Sequence, residues 1–155
     1  MDMDMNSETG LAAHIARVLV VDDDRAIRDL VRCVLELEGY DVACAANGQE
    51  ALDLLLSART PWVVLMDVMM PRVSGIEVCQ RLAAADGPAA DHQIALMTAG
   101  LLEDDACPAP ARALIHKPFD VDQIIAVVGA LAAGPVADLA ASAAAGAPEM
   151  AASLA

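Results

Sequence analysis

Five short aliphatic runs alternate along this chain with segments of helical spacing, and few folds accommodate that order. The runs are RVLVV (17–21), YDVACAA (40–46), WVVLM (62–66), QIALM (93–97) and ALIH (113–116). They lack the apolar–polar alternation of a strand with one wet face, so they read as strands covered on both sides. YDVACAA is the weakest, and its one internal acid suits an edge position. Strands of this kind separated by helices call for a mostly parallel sheet with helices packed on both faces.

The intervening segments carry their own start and stop signals. In RAIRDLVRCVLELEG the apolar residues Ile27, Leu30, Val31, Val34, Leu35 and Leu37 recur at helical spacing. Asp24 is a ready N-cap for that helix and Gly39 a stop. NGQEALDLLLSA opens with Asn47 and Glu50 at capping-box spacing, then runs apolar at 51, 54 and 55. IEVCQRLAAA follows the third strand, and DVDQIIAVVGALAAG closes the set with Asp120 and Gln123 at capping spacing. One unit breaks the rhythm. AGLLEDDACPAPAR is short for a loop plus helix, and Pro108 and Pro110 confine any helical turn to Leu101–Ala106.

At 155 residues the chain is one domain's worth. Residues 1–16 read as a flexible polar leader, and 134–155 as an alanine-rich tail with too few large apolar residues for a second core. The net charge of −14 disfavours a nucleic-acid or anionic-membrane surface and is better read as serving solubility or a site that collects a metal cation. The N-terminus has neither the basic nor the apolar region of a signal peptide, and no apolar run reaches membrane-spanning length. A cytoplasmic location is therefore expected. The four cysteines show no metal-type pairing and are read as reduced residues of the core.

In a parallel sheet every carboxyl end lies on one rim, where ligands bind. This sequence delivers Asp22 and Asp23 there from the first strand, Asp67 from the third, Thr98 from the fourth and Lys117 from the fifth. Two like unit charges about 4 Å apart repel by roughly 4 kcal/mol at the effective dielectric of a protein surface. Three carboxylates so placed must take up a proton or bind a cation, and oxygen ligands in an open cleft suit Mg2+. A carboxylate beside Mg2+ and an ammonium is placed to attack phosphorus, giving an aspartyl phosphate. Lys117 is the one lysine, against eight arginines. A compact charge on a flexible stem fits between a carboxylate and a phosphoryl oxygen better than the broad arginine fork does.

VLVVDDD, VVLMDVMMPRVSG, LMTA and HKPF, in this order and at these separations, resemble the receiver domain of two-component response regulators over about residues 17–133. The resemblance implies a flavodoxin-like α/β fold, a doubly wound five-stranded parallel sheet in the order 2-1-3-4-5. The fourth helix of that fold would here be short or irregular. The resemblance implies Asp67 as the phospho-acceptor, served by a sensor histidine kinase or a histidine phosphotransfer protein. Asp22, Asp23, Asp67 and the backbone carbonyl of Met69 would hold Mg2+, and Thr98 and Lys117 would contact the phosphoryl group. Pro71 and Gly75 would shape the loop after Asp67, and the Lys117–Pro118 bond would be cis. Output would pass to a downstream protein target, with homodimerisation left open.

Two departures from the family pattern matter. Leu114 occupies a position that is usually aromatic, so the family's coupled rotation of threonine and aromatic ring cannot run in its usual form. Met69 and Gly100, where the family tunes hydrolysis, offer no side-chain group to orient a water, so a long-lived phosphoryl group is expected.

Each part also has a plainer reading. Asp22 and Asp23 alone would pass for a capping pair, although Asp24 already fills the cap. Asp67 alone would pass for a loop acid, and Thr98 for a strand end. His116, beside the lysine, reads as a packed or surface residue rather than a base, and His14 and His92 carry no signal. Competing functions are a phosphate-independent scaffold of the same fold and an aspartate-nucleophile phosphatase of the haloacid dehalogenase type. The latter wants a second acid where this chain has Met69. A flavodoxin-like cofactor binder would need a Gly/Ser/Thr-rich loop after the first strand, which is missing.

Overall fold

The computed structural model describes residues 17–85, 91–100, 107–108 and 110–133. In chain order the elements are β1 (Arg17–Val21), α1 (Arg25–Leu37), β2 (Asp41–Ala45), α2 (Gly48–Ser57), β3 (Val63–Asp67), α3 (Gly75–Ala83), β4 (Gln93–Thr98), β5 (Ala111–His116) and α4 (Val121–Ala132). The strands form one sheet in the order β2-β1-β3-β4-β5, with every neighbouring pair parallel. The expected leader, the expected tail and the expected turn at Leu101–Ala106 lie outside the described residues. No helix among the described residues is long and apolar enough to cross a membrane.

The missing period-2 pattern has a simple cause: both faces of the sheet are covered. Leu19, Val21, Val64, Met66, Ile94 and Leu96 pack on one side against α2 and α3, through Leu52, Leu55, Val78 and Leu82. Val18, Val20, Val63, Leu65, Met97 and Ile115 pack on the other against α1 and α4, through Val31, Leu35, Ile124 and Val128. β2 lies at the edge and is only partly buried, as its composition suggests.

Local chemistry sets the helix ends. Asp24 Oδ1 accepts from the N–H groups of Ala26 (2.9 Å) and Ile27 (3.4 Å), and Asn47, Ser74 and Asp120 cap the next three helices in the same way. Glu50 reaches back at 2.8 Å to the Ala46 N–H, one residue before the cap, so the reciprocal bond expected of a capping box is displaced by one residue. Gly39 takes φ +97, and the N–H groups of Gly39 and Tyr40 close on the carbonyls of Glu36 and Leu35. That is a Schellman stop, which an L side chain at Gly39 would strain.

The helical spacing of α1 holds, but Leu30 and Leu37 lie outside the core: they are 50% and 82% exposed, and α1 buries only Val31 and Leu35 fully. A helix lying on a sheet presents a narrow stripe to it, and these two leucines fall outside that stripe. Of the four cysteines only Cys79 is buried; Cys33 is exposed, and Cys44 and Cys107 are half-buried. Burial pushes the Cys79 thiol up to about 12, as suits an inert core residue.

The rim where the strands begin holds a buried clamp that nothing in the sequence announces. His92 Nδ1 accepts from the Trp62 N–H at 2.9 Å, which leaves Nε2 to donate to the Leu55 carbonyl at 3.0 Å. The ring thus ties β3, β4 and the last turn of α2 together in its neutral form. Burial pushes its pKa down, and the Leu55 carbonyl and Asp91 oppose that only in part. A histidine pKa lowered by folding gives stability that is complete above the unfolded value of about 6.5 and is lost as pH falls below it. His92→Asn is therefore expected to lose about 1–3 kcal/mol at neutral pH and to flatten the fall in stability between about pH 7 and pH 5. Urea denaturation across that range checks it; parallel curves for variant and parent would contradict it.

Candidate functional site

At the opposite rim β1, β3, β4 and β5 bring their polar termini to one place. The Asp22 N–H donates to the Ala45 carbonyl at 3.3 Å, so the first acid continues the register of β1 with β2. Its carboxylate is completely buried. Oδ1 accepts from the Asp24 N–H at 2.9 Å and Oδ2 from Lys117 Nζ at 2.8 Å. Asp23, the next residue, is exposed, and among the described residues its carboxylate makes no hydrogen bond or ion pair. Two adjacent aspartates thus have opposite circumstances, one fully partnered and one open to solvent.

Asp67 is the last residue of β3 and is almost wholly buried. Its Oδ1 lies 3.4 Å from the Met69 N–H and 3.6 Å from Lys117 Nζ. Burial pushes its pKa up, and the charge of Asp22 pushes it further; Lys117 and the Met69 N–H oppose both. For Lys117 burial pulls the pKa down, but the hydrogen bond and charge of Asp22, with Asp67 behind it, outweigh that and hold it above the usual lysine value. Lys117 is thereby a fixed cation between two acids, brought there by its own N–H on the Thr98 carbonyl at 2.7 Å. The Lys117–Pro118 bond is cis, and Pro118 is exposed.

Carboxylate oxygens of Asp22, Asp23 and Asp67 all lie within 4.8 Å of one another. Three anions with one close ammonium leave negative charge uncompensated. The donor set is all oxygen and one ligand is open to water, a combination that suits a small hard dication with part of its hydration shell retained.

The loop after Asp67 is held against the strand by backbone. Val68 N–H donates to the Met97 carbonyl at 2.9 Å, and Gly75 N–H returns to the Val68 carbonyl at 2.9 Å. A Cβ on Gly75 would stand 2.5 Å from the Asp67 carbonyl oxygen and 3.1 Å from Val68 Cα. Pro71 is exposed at the loop's outer end, where its carbonyl accepts from the Val73 N–H at 2.8 Å. Met69 points its side chain into solvent.

Thr98 is buried at the end of β4, and its Oγ1 accepts from the Gly100 N–H at 2.9 Å. The hydroxyl proton remains available to a further acceptor. Leu114 packs into the α2–α3 side of the core, and no aromatic ring lies in that position. Of the anticipated set, Asp22, Asp23, Asp67 and Lys117 meet directly, whereas Thr98 joins through the backbone of Lys117.

Sequence reasoning overlooked Arg28, whose Nη1 donates to the Asp22 carbonyl at 2.8 Å. Its only sequence signal is a position one turn inside the helix that follows the acid run.

A family profile described as the response regulator receiver domain matches residues 18–129. Response regulator MprA of Mycolicibacterium vanbaalenii is 43% identical over 118 residues, which are 74% of this chain and 49% of that protein. The DNA-binding dual master transcriptional regulator RpaA of a Synechocystis strain is 40% identical, over 74% of this chain and 48% of its own length. The chain therefore spans about half the length of these curated relatives. Among solved structures, the chemotaxis response regulator CheY4 of Vibrio cholerae superposes with a TM-score of 0.68 at 29% identity, covering 76% of this chain and 98% of that one.

Proposed function

This chain belongs to the response regulator receiver family, and from that premise we propose that it takes up a phosphoryl group on Asp67 as a step in a phosphorelay. The observation that carries the reading is the meeting of Asp22, Asp23 and Asp67 oxygens within 4.8 Å, with Lys117 Nζ 2.8 Å from Asp22 and 3.6 Å from Asp67. A carboxylate oxygen of Asp67 forms the new bond to phosphorus while the P–N bond to a donor histidine breaks, and the imidazole leaves with the bonding pair. Lys117 lies beside the acceptor, where charge builds on the transferring group. Thr98 offers its free hydroxyl proton to a phosphoryl oxygen once the acceptor is loaded.

Asp22, Asp23, Asp67 and the Met69 carbonyl would hold Mg2+. When bound, that ion supplies charge neutralisation at the phosphoryl oxygens. We assign the receiver to residues 17–133, the leader to 1–16 and the tail to 134–155. The proposed donors are a sensor histidine kinase or a histidine phosphotransfer protein, and the proposed output is docking to another protein in the cytoplasm. A net charge of −14 disfavours direct contact with nucleic acid. The DNA binding in RpaA's name belongs to a protein about twice as long as the matched stretch.

The test is exposure to acetyl phosphate with Mg2+, read by intact mass. The parent chain is expected to gain one phosphoryl group, and Asp67→Asn or added chelator to abolish the gain. Label retained by Asp67→Asn would overturn the assignment. The same labelled sample, freed of donor, is expected to lose its phosphoryl group slowly, because neither Met69 nor Gly100 carries a group to orient water.

A further inference from the structure

Asp23 has a difficulty that its neighbours do not share. Asp22 is fixed by Asp24 and Lys117, and Asp67 by Met69 and the strand itself, but the Asp23 carboxylate has no partner among the described residues. Its place among the three acids therefore depends on the backbone that carries it. The peptide that leads into Asp23 is held by the side chain of one residue, whose own N–H makes the first bond of the helix. The Arg28 guanidinium donates to the carbonyl of Asp22 at 2.8 Å, and the Arg28 N–H donates to the carbonyl of Asp24 at 3.1 Å. Arg28 is half-buried and forms no ion pair among the described residues. A part-buried guanidinium with five donors normally seeks a carboxylate. This one is committed to a peptide oxygen instead.

We propose that Arg28 is a positioning residue for the metal ligand Asp23, fixing the Asp22–Asp23 peptide so that the exposed carboxylate faces the other two. The proposal rests on the reading of the three acids as a Mg2+ site. Arg28 touches neither the ion nor the phosphoryl group; it acts through the direction of one peptide. Partners behind a metal ligand typically carry about ten- to a hundredfold in affinity. A backbone strut belongs near the lower end of that span.

The experiment is an NMR amide-shift titration of the full chain with Mg2+. Arg28→Met is expected to raise the Mg2+ dissociation constant about tenfold, and Arg28→Lys, which retains one donor for the Asp22 carbonyl, to recover part of the loss. If Arg28 acts through Asp23, Arg28→Met placed on top of Asp23→Asn should add less than about twofold, because the ligand it positions is already gone. A dissociation constant unchanged in Arg28→Met, or raised by the same factor with and without the Asp23 carboxylate, would overturn the proposal while leaving the metal site intact. A parent chain that binds no Mg2+ would overturn both. Should Arg28→Met fail to fold, Arg28→Gln, whose amide is too short to reach the Asp22 carbonyl, carries the same expectations.

Discussion

Replacing Lys117 with methionine is expected to cost this protein both stability and chemistry, and added Mg2+ is expected to return only the stability. The stability loss comes from Asp22, which is completely buried and takes its single charged hydrogen bond from Lys117 at 2.8 Å. Removing one partner of a buried pair leaves the other charge uncompensated, at a cost of about 3–5 kcal/mol. The lower end applies here, because the Lys117 side chain keeps 16% of its exposure and water screens it in part. Methionine has nearly the same length and volume, so packing changes little. A dication among the three acids would replace the lost cation and restore the fold. The second task proposed for the lysine, stabilising charge on the group in flight, would have no substitute, and phosphoryl uptake should fall by about a hundred- to a thousandfold even at saturating Mg2+. Urea denaturation with and without Mg2+, together with initial rates of labelling by acetyl phosphate, separates the two effects. Labelling at the parental rate would remove Lys117 from the chemistry altogether.

Gly75→Ala should be nearly as damaging, for a steric reason. The added methyl would meet the Asp67 carbonyl oxygen at 2.5 Å and Val68 Cα at 3.1 Å. Both are backbone atoms and neither can rotate away. Overpacking of this kind costs about 1–3 kcal/mol, occasionally more. Relief requires the start of α3 and the end of β3 to move apart, which carries Asp67, the proposed acceptor, with it. A displacement of about 1 Å at a reacting group is worth on the order of a hundredfold in rate. Denaturation and labelling rates measured on one preparation provide the check. A destabilised variant that labels normally would show that α3 alone absorbs the clash.

The parts of this molecule that could be read from sequence are those governed by local or periodic rules. Asp24, Asn47 and Asp120 are caps by spacing, and all three cap. The site was legible for a related reason: a parallel sheet collects strand ends, so Asp22 and Lys117, 95 positions apart, belong on one rim. What escaped depends on facts that spacing does not encode. Asp22 and Asp23 are the same residue type side by side, yet one is buried and paired while the other is open. Helical periodicity named six apolar residues in α1 without saying that Leu30 and Leu37 would miss the sheet. His92 bonds across 30 and 37 positions to backbone atoms of Trp62 and Leu55, which any residue type supplies. Arg28 likewise reaches for a carbonyl, and carbonyls leave no trace in a sequence.

The direction of the helices has an electrostatic result of its own. Each described helix runs back along its preceding strand, so Asp24, Asn47, Ser74 and Asp120 all begin their helices on the rim that holds the acids. A helix start behaves like about half a positive charge within its first turn. α1 enters directly from Asp23, and α3 from the loop that leaves Asp67. Peptide macrodipoles thus add positive potential at a rim where the acids are met by a single lysine, and in a chain carrying fourteen excess negative charges they would favour the arrival of the proposed phosphoryl anion.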